Sequence, residues 1–250
     1  MFNNPYFQNV ASEFIALVII VIIGWLYIYY VKGRRGLPIF FNIKTTKRIV
    51  IYLSNLRIIN AGALGIDNQP RSFAESAIPR YEVNFVPLFQ RLFNLVIPGL
   101  NDLPGFLRGL FISDVRVDFI PSPLKQGDVE RRTTFIAVGS PGYNIASRLI
   151  EDEWNPRARF VDDNTAVSLR GMPPQTDPTY AFVQRVFNQG NGQTAFYIAG
   201  ISSRGTAGAA YYLASQWDTL ATDYPNNTPF CIMLEITSAD ARQYVVISRT

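Results

Sequence analysis

Histidine is absent from this chain of 250 residues, and cysteine occurs once. Without histidine the protein lacks the commonest general base, the usual activator of a serine or cysteine nucleophile and a frequent ligand of transition metals. Hydrolase triads that use histidine, and zinc sites bound through histidine, are therefore excluded. The single cysteine, Cys231, lies in an apolar run, so an intrachain disulfide is excluded and we predict a buried thiol.

Charged residues are also scarce, at 17% of the chain against 48% hydrophobic residues. This composition is typical of an ordered protein, and the length suits one domain with an attached segment. The net charge is only +4, and much of the basic excess lies between Lys32 and Arg48. Because this basic cluster directly follows an apolar segment, it indicates a membrane flank, and we predict no nucleic-acid partner.

The apolar segment consists of 18 consecutive uncharged residues, 14–31. At 1.5 Å per residue, a helix of this length approaches the roughly 30 Å hydrocarbon thickness of a bilayer. Lys32, Arg34 and Arg35 follow it, whereas residues 1–13 contain no lysine or arginine. We therefore predict one transmembrane helix, Phe14–Val31, in the lipid bilayer of a cell inner membrane, with the short tail 1–13 outside and the rest in the cytoplasm. A cleaved signal peptide is the alternative. In a signal peptide, however, the basic residues precede the apolar run, whereas in this chain they follow it.

After the apolar segment we predict a basic connector over residues 32–43 and one α/β domain over residues 44–250. Strand patterns alternate with two helices and with hairpins, which indicates an α/β fold with a mixed sheet. The strand patterns cover residues 47–59, 115–120, 133–138, 157–170, 180–187, 194–199, 229–236 and 243–248.

An aromatic stripe at helical spacing runs from Phe85 to Phe111. It has two interpretations: a surface that rests on the bilayer beside the anchor, or an ordinary core helix with a partner segment. The second is favoured, because amphipathic stripes usually face their own core.

Two strand–turn–helix units, 133–154 and 194–220, carry the candidate ligand site. In each unit a glycine-bearing turn leads into a helix, which points backbone N–H groups and the positive end of the helix dipole at the space above the turn. We predict that Asn144 caps the first helix and that Thr206 caps a second helix beginning at Ala207. The candidate ligand-binding residues are Gly139, Ser140, Gly142 and Asn144 in the first turn, and Gly200, Ser203, Arg204, Gly205 and Thr206 in the second.

These turns match neither the phosphate-binding P-loop nor the dinucleotide fingerprint Gly-x-Gly-x-x-Gly. Glycine, serine and asparagine also form ordinary capped turns, so two purely structural turns are the alternative interpretation. Arg204 offers a fork of donors suited to a phosphate.

The second turn, with the sequence AGISSRGTAGAA, resembles the glycine–threonine turn of the SLOG superfamily of nucleotide-binding domains. The resemblance implies a Rossmann-like fold and a phosphate held at the turn. Members of the related LOG branch place a catalytic glutamate shortly after the threonine, where this chain has Ala209 and Ala210. The resemblance therefore implies binding without that hydrolysis, in a layout similar to membrane-anchored nucleotide sensors of bacterial defence.

Other acidic residues give weaker indications. Glu151–Glu153 are consecutive on the first helix and are expected to point in different directions. Asp114 with Asp118 is expected at a strand, and Asp162 with Asp163 at the tip of a hairpin. We predict no catalytic residue, no metal site and no cofactor.

Three functions follow from these patterns. The first is a membrane-anchored module that binds a small anionic ligand, a nucleotide, and acts as a sensor or regulator. The second is a non-catalytic accessory or scaffold subunit, with a larger membrane complex or a second copy as partner. The third is an enzyme that cleaves a glycosyl bond with carboxylates alone.

Overall fold

The computed structural model describes residues 5–28, 36–43, 45–59, 63–64, 70–71, 74–77, 80–94, 115–162, 165–225 and 227–250. In these ranges the helices are α1 (Pro5–Ile28), α2 (Leu37–Phe40), α3 (Arg80–Asn94), α4 (Ile145–Glu153) and α5 (Ser203–Asp223). The strands are β1 (Arg48–Leu53), β2 (Leu56–Ile59), β3 (Ala63–Leu64), β4 (Pro70–Arg71), β5 (Ala74–Ala77), β6 (Arg116–Pro121), β7 (Phe135–Val138), β8 (Ala158–Val161), β9 (Ala166–Leu169), β10 (Tyr180–Phe187), β11 (Thr194–Gly200), β12 (Phe230–Ile236) and β13 (Tyr244–Arg249).

Seven strands form one mixed sheet in the order β13-β12-β10-β11-β7-β1-β6. Strands β6, β1, β7 and β11 run parallel, while β10, β12 and β13 join them in antiparallel pairs. This arrangement confirms the predicted α/β class with a mixed sheet, and it is consistent with a Rossmann-like architecture. The predicted hairpin over residues 157–170 is also confirmed as the pair β8–β9.

The sheet is covered on both faces, which explains why its central strands are apolar at nearly every position. In β1, Ile49, Ile51 and Leu53 join the core on one face, whereas Val50 and Tyr52 join the core on the other. Helices α2, α3 and α5 supply the first core, and α4 with the β8–β9 hairpin supplies the second. The burial of both faces makes this region a three-layer domain.

The order of the parallel strands creates a topological switch point. From β1 the chain continues to β6 on one side of β1, and then crosses to β7 on its other side. In open α/β sheets, ligands bind beyond the carboxyl ends of the strands where the order reverses in this way. A ligand site is therefore expected beyond the carboxyl ends of β1 and β7.

Helix α3 contains the described part of the aromatic stripe. Phe89 and Phe93 are fully buried in the core that α5 shares. This part of the stripe is a core helix, as the favoured interpretation expected, and the remainder after Asn94 lies outside the described residues.

The segment assigned to the connector contributes to the core. Leu37, Phe40, Phe41 and Ile43 are each at most 2% exposed, and the Phe40 ring lies 5.3 Å from the Phe196 ring of β11. Aromatic packing, which periodicity does not reveal in so short a segment, holds residues 37–43 against the sheet.

Helix α1 is 24 residues long, and the side chains of residues 13–24 are described. Its large apolar side chains in that range are 39–66% exposed. In the part of the chain that the structure describes, no helix combines the length and the apolarity that crossing a membrane requires.

Candidate ligand site at the switch point

The first glycine-bearing turn, residues 139–144, is called the first corner below and begins directly after β7. Gly139 has a φ of +95°, and a side chain there would collide with the Ser54 hydroxyl and lie 3.2 Å from Glu82 Oε1. Both the backbone conformation and the close approach require glycine at this position. The corner therefore forms where β1, β7 and α3 converge.

Asn144 joins three elements at this corner. Its Oδ1 accepts a hydrogen bond from the Ala146 N–H at 2.9 Å, which confirms that it caps α4. Its Nδ2 donates to the carbonyl oxygens of Tyr52 (2.9 Å) and Val138 (2.7 Å), at the ends of β1 and β7. At 1% exposure, this side chain fixes the start of α4 at the switch point.

The first N–H groups of α4 are used within the protein. Ile145 N–H donates to Ser122 Oγ at 2.7 Å, Ala146 N–H donates to Asn144, and Asn144 N–H donates to the Ser140 carbonyl at 3.0 Å. An anion beside this corner would therefore depend on side chains more than on these amides.

A cavity of about 310 Å³ opens beside this corner. Ligand pockets begin at about this volume. Its lining consists of Asn55, Pro123, Leu124, Pro141, Gly142, Tyr143, Asn144, Ile145 and Arg148. Tyr143 is 57% exposed, so its ring is accessible from the cavity side, while Arg148 supplies a positive charge and donates a 3.0 Å hydrogen bond from Nη2 to the Pro141 carbonyl. Among its described lining residues, the cavity thus combines an aromatic surface with one guanidinium.

The second corner has a different structure from the one predicted. Helix α5 begins at Ser203 rather than Ala207, and Ser202 rather than Thr206 caps it. Ser202 Oγ accepts from the Gly205 N–H at 3.1 Å and donates to the Pro178 carbonyl at 2.6 Å. Thr206 lies inside the helix, where its hydroxyl accepts from the Gly200 N–H at 3.1 Å. The prediction of the cap was wrong because the threonine hydroxyl has this tertiary partner.

Close packing fills the second corner. A Cβ on Gly200 would lie 2.5 Å from the Gly205 carbonyl carbon, and a Cβ on Gly205 would lie 3.0 Å from the Tyr180 carbonyl oxygen. The two glycines thus allow α5 to start directly against β11 and β10. Ser203 remains exposed and Arg204 is half-buried. The pKa of the nearby Asp177 carboxyl is lowered, mainly by its hydrogen bonds from Thr179 and less by the Arg204 charge.

The two corners lie at the same edge of the sheet, because β7 and β11 are parallel neighbours with Val138 paired to Ile198. Their helices, however, pack on opposite faces. Of the predicted ligand-binding residues, Gly142 and Asn144 line the cavity, and Gly139 and Ser140 lie directly before it in the same turn. Gly200, Ser203, Arg204, Gly205 and Thr206 are not among its lining residues.

Glu82 is a residue of this region that sequence reasoning missed. It lies in the first turn of α3, is 4% exposed, and its Oε2 accepts a 2.6 Å hydrogen bond from the Ser54 N–H at the end of β1. Burial raises the pKa of this carboxyl to about 7, although its hydrogen bonds with Ser54 act in the opposite direction. The sequence did carry a signal, because Glu82 lies on the same helical stripe as Val86, Phe89 and Phe93, where an acid is out of place.

The acidic run on α4 has separate partners, as its consecutive positions predicted. Glu151 Oε1 accepts from the Phe160 N–H at 2.9 Å and from the Tyr197 hydroxyl at 2.7 Å, whereas Asp152 accepts from Gln126 at 2.8 Å. Burial is the main cause that raises the pKa of Glu151. These contacts tie α4 to the sheet and to the β8 strand.

The remaining acidic candidates have structural partners where they are described. Asp118 pairs with Arg48 at 2.7 Å and with Arg116 at 2.9 Å, and Asp162 has the positive φ of a turn residue. Asp114 and Asp163 lie outside the described residues. Within the described ranges no three acidic, cysteine or histidine side chains cluster as a metal site.

Searches of this chain against family models, curated proteins and solved structures found no match. The class of the protein therefore follows from its own fold and site, an α/β domain with a mixed seven-stranded sheet and a cavity at its switch point.

Proposed function

We propose that this chain is a membrane-attached protein whose α/β domain binds a small anionic ligand carrying a planar ring, a nucleotide, in the cavity beside α4. The observation that carries this proposal is the position of the cavity, at the carboxyl ends of parallel strands where the strand order reverses. Its volume of about 310 Å³ suits a small ligand that remains partly open to solvent.

The lining suggests how the ligand is held. The exposed ring of Tyr143 offers a stacking surface for a base, and Arg148 offers charge and hydrogen-bond donors for a phosphate. Because α4 uses its first N–H groups internally, Arg148 is the principal positive group of the cavity. A ligand in contact with both Asn55 and Arg148 bridges the end of β1 and the start of α4, which is how occupancy would be communicated to the rest of the domain.

The proposed attachment to the membrane depends on α1. Apolar side chains exposed at 39–66% along Phe14–Ile23 form a surface that is normally covered by lipid or by protein. The basic residues after the apolar run and their absence before it support an inner-membrane protein with a short outer tail and a cytoplasmic domain. The resemblance of the second corner to SLOG proteins remains a prediction, and the contacts of Gly200 and Gly205 support a structural role for that corner.

Calorimetric titration of the full chain in mild detergent with ATP, ADP, NAD and cyclic nucleotides tests the proposed binding. We expect at least one nucleotide to bind, and Arg148→Gln to weaken that binding about tenfold or more, as expected for loss of a charged hydrogen bond. Arg159→Gln is the matched control, since it removes an exposed arginine from β8. Absence of binding across the panel, or equal losses in both variants, would overturn the proposal.

A second candidate function is an accessory or scaffold subunit, and the edges of the sheet favour it specifically. The edge strand β13 exposes Val245 by 50% and Ile247 by 39%, and an apolar edge of this kind suits pairing with another chain. Photo-crosslinking from position 245 in membranes, followed by identification of the adduct, tests it. A stoichiometric adduct supports the scaffold, and its absence under conditions where the nucleotide binds leaves the ligand-binding function alone.

A further inference from the structure

A second cavity of about 340 Å³ lies at the edge of the sheet formed by the first residues of β7 and β11, opposite the carboxyl ends of these strands. Its lining is polar and includes Asn42, Thr46, Arg131, Arg132, Thr133 and Asn191. This edge lies at the far end of the parallel strands from the switch point. The cavity is therefore separate from the candidate nucleotide site.

Positive charge predominates in this cavity. Arg131 and Arg132 are both exposed, and in the described ranges neither forms an ion pair. Among the described residues that line the cavity, none carries a carboxylate. The nearest acid along the chain, Glu130, directs one oxygen to the Arg132 N–H at 3.1 Å and the other towards Arg48 at 3.7 Å. Two guanidinium groups are thus available to an anion.

The lining also includes a buried hydroxyl that has no hydrogen-bond partner among the described residues. Thr133 is 9% exposed, and its Oγ1 makes no hydrogen bond among the described residues. Neighbouring polar groups are satisfied, since Thr134 Oγ1 donates to the Asn42 carbonyl at 3.1 Å and Asn42 Nδ2 donates to Thr194 Oγ1 at 2.8 Å. Buried hydroxyls in folded proteins normally have partners, so a ligand oxygen would complete this site.

Chain connectivity limits the distance between α1 and the start of the domain. Eight peptide links join Ile28 to Gly36, and they span at most about 28 Å when fully extended. Asn42, six residues after Gly36, is hydrogen-bonded to Thr194 at the start of β11. If α1 lies in the bilayer, the start of the domain is held near its surface.

We propose that this cavity binds the phosphate of an anionic lipid headgroup, with Arg131 and Arg132 as its charged contacts, and so docks this edge of the sheet on the bilayer. The inference rests on the proposed attachment of α1 to the membrane. A headgroup phosphate supplies the negative charge and acceptor oxygens that two guanidinium groups prefer. In this orientation the switch-point cavity faces away from the membrane and is open to soluble ligands.

Hydrogen exchange of the full chain in proteoliposomes tests the docking. Vesicles of phosphatidylcholine alone are compared with vesicles that contain phosphatidylglycerol as well. With the anionic lipid we expect slower exchange at residues 131–134 and 191–194, by about threefold or more, because basic residues at a charged surface bind headgroups measurably. Raising the salt concentration should reverse the slowing, since exposed charges are screened.

The variant Arg131→Gln/Arg132→Gln should lose this slowing, whereas the control Arg159→Gln/Arg170→Gln, which removes the same charge from the β8–β9 hairpin, should retain it. Equal behaviour of the two variants overturns the inference. Equal exchange in both vesicle types overturns it as well. If inorganic phosphate added to phosphatidylcholine vesicles gives the same slowing, the site takes a soluble anion and the lipid proposal is wrong. A chain that fails to float with either vesicle contradicts the membrane attachment itself, which distinguishes that failure from failure of the headgroup site.

Discussion

The two glycine corners look alike in sequence and differ in structure. Each follows a buried parallel strand and leads into a helix, yet the corner after β7 borders a cavity while the corner after β11 is filled by its own chain. The difference comes from what approaches each glycine. At Gly139 it is the side chains of Ser54 and Glu82, whereas at Gly200 it is the backbone of α5. A glycine therefore marks a close approach without saying whether a side chain or the backbone makes it.

The largest expected effect comes from the filled corner. In Gly200→Ala the added methyl meets backbone atoms of Gly205 and Thr206 at 2.5–2.7 Å, and backbone cannot move aside as a side chain can. We expect the free energy of unfolding to fall by about 3 to 4 kcal/mol, measured by urea denaturation of the full chain in mild detergent. Gly127→Ala is the control, because a Cβ there meets nothing within 4 Å. Equal stability of the two variants would contradict the close packing.

The next effect concerns Glu82 beside the open corner. Burial raises its pKa from 4.5 to about 7, so the folded state binds a proton more tightly than the unfolded chain does. The stabilisation from this proton is fully present below about pH 4.5 and is lost as the pH rises through about 7. Glu82→Gln removes this dependence and keeps an acceptor for the Ser54 N–H.

We therefore expect Glu82→Gln to match the wild type near pH 4.5 and to be more stable at pH 8 by about 3 kcal/mol. The measurement is the difference between the two unfolding free energies as a function of pH, which cancels the titration of other groups. A difference that does not change with pH would show that Glu82 titrates normally.

The caps of α4 and α5 are expected to differ in how much they stabilise the fold. Asn144→Ala removes a cap and two buried hydrogen bonds to β1 and β7, so we expect a loss of about 2 kcal/mol. Ser202→Ala should lower the free energy of unfolding by about 1 kcal/mol. Thr206→Val should lower it by a comparable amount, because the Thr206 hydroxyl accepts the hydrogen bond from the Gly200 N–H. Urea denaturation of the three variants checks the order. If Ser202→Ala lowered the free energy of unfolding more than Asn144→Ala, the cap of α5 would be the more stabilising one, which would contradict our expectation.

The smallest effect on stability is expected at the cavity itself. Tyr143 is 57% exposed, so Tyr143→Ala should change the free energy of unfolding by about 0.5 kcal/mol or less. Nucleotide binding, in contrast, should weaken in the same variant if the ring stacks on the base. A large loss of stability would show that the ring is a structural part of the corner.

Local patterns predicted much of the fold. Strands such as Tyr180–Phe187 were predicted from apolar, β-branched and aromatic density, and Asn144 was predicted as a cap from its place before a helical pattern. These features depend on neighbours in the chain. The start of α5 was missed because two residues, Ser202 and Thr206, both suit a cap, and only the Gly200 N–H decides between them.

The candidate site was predicted only in part. The first corner was identified, but Glu82 was overlooked, since it comes from a helix distant in the chain. A local pattern also could not predict that α4 and α5 lie on opposite faces of the sheet. The path of the crossover connections decides it.

The amino-acid sequence by itself determined the absence of histidine chemistry, the α/β class and an apolar segment that precedes a folded domain, because composition and periodicity act within a few residues. The tertiary structure alone decided which corner stays open, what partner each glycine has and where the basic residues gather, because those properties depend on contacts between strands and helices far apart in the chain. Long-range packing decides these properties, because buried segments must fit closely together and most of their buried polar groups must form hydrogen bonds.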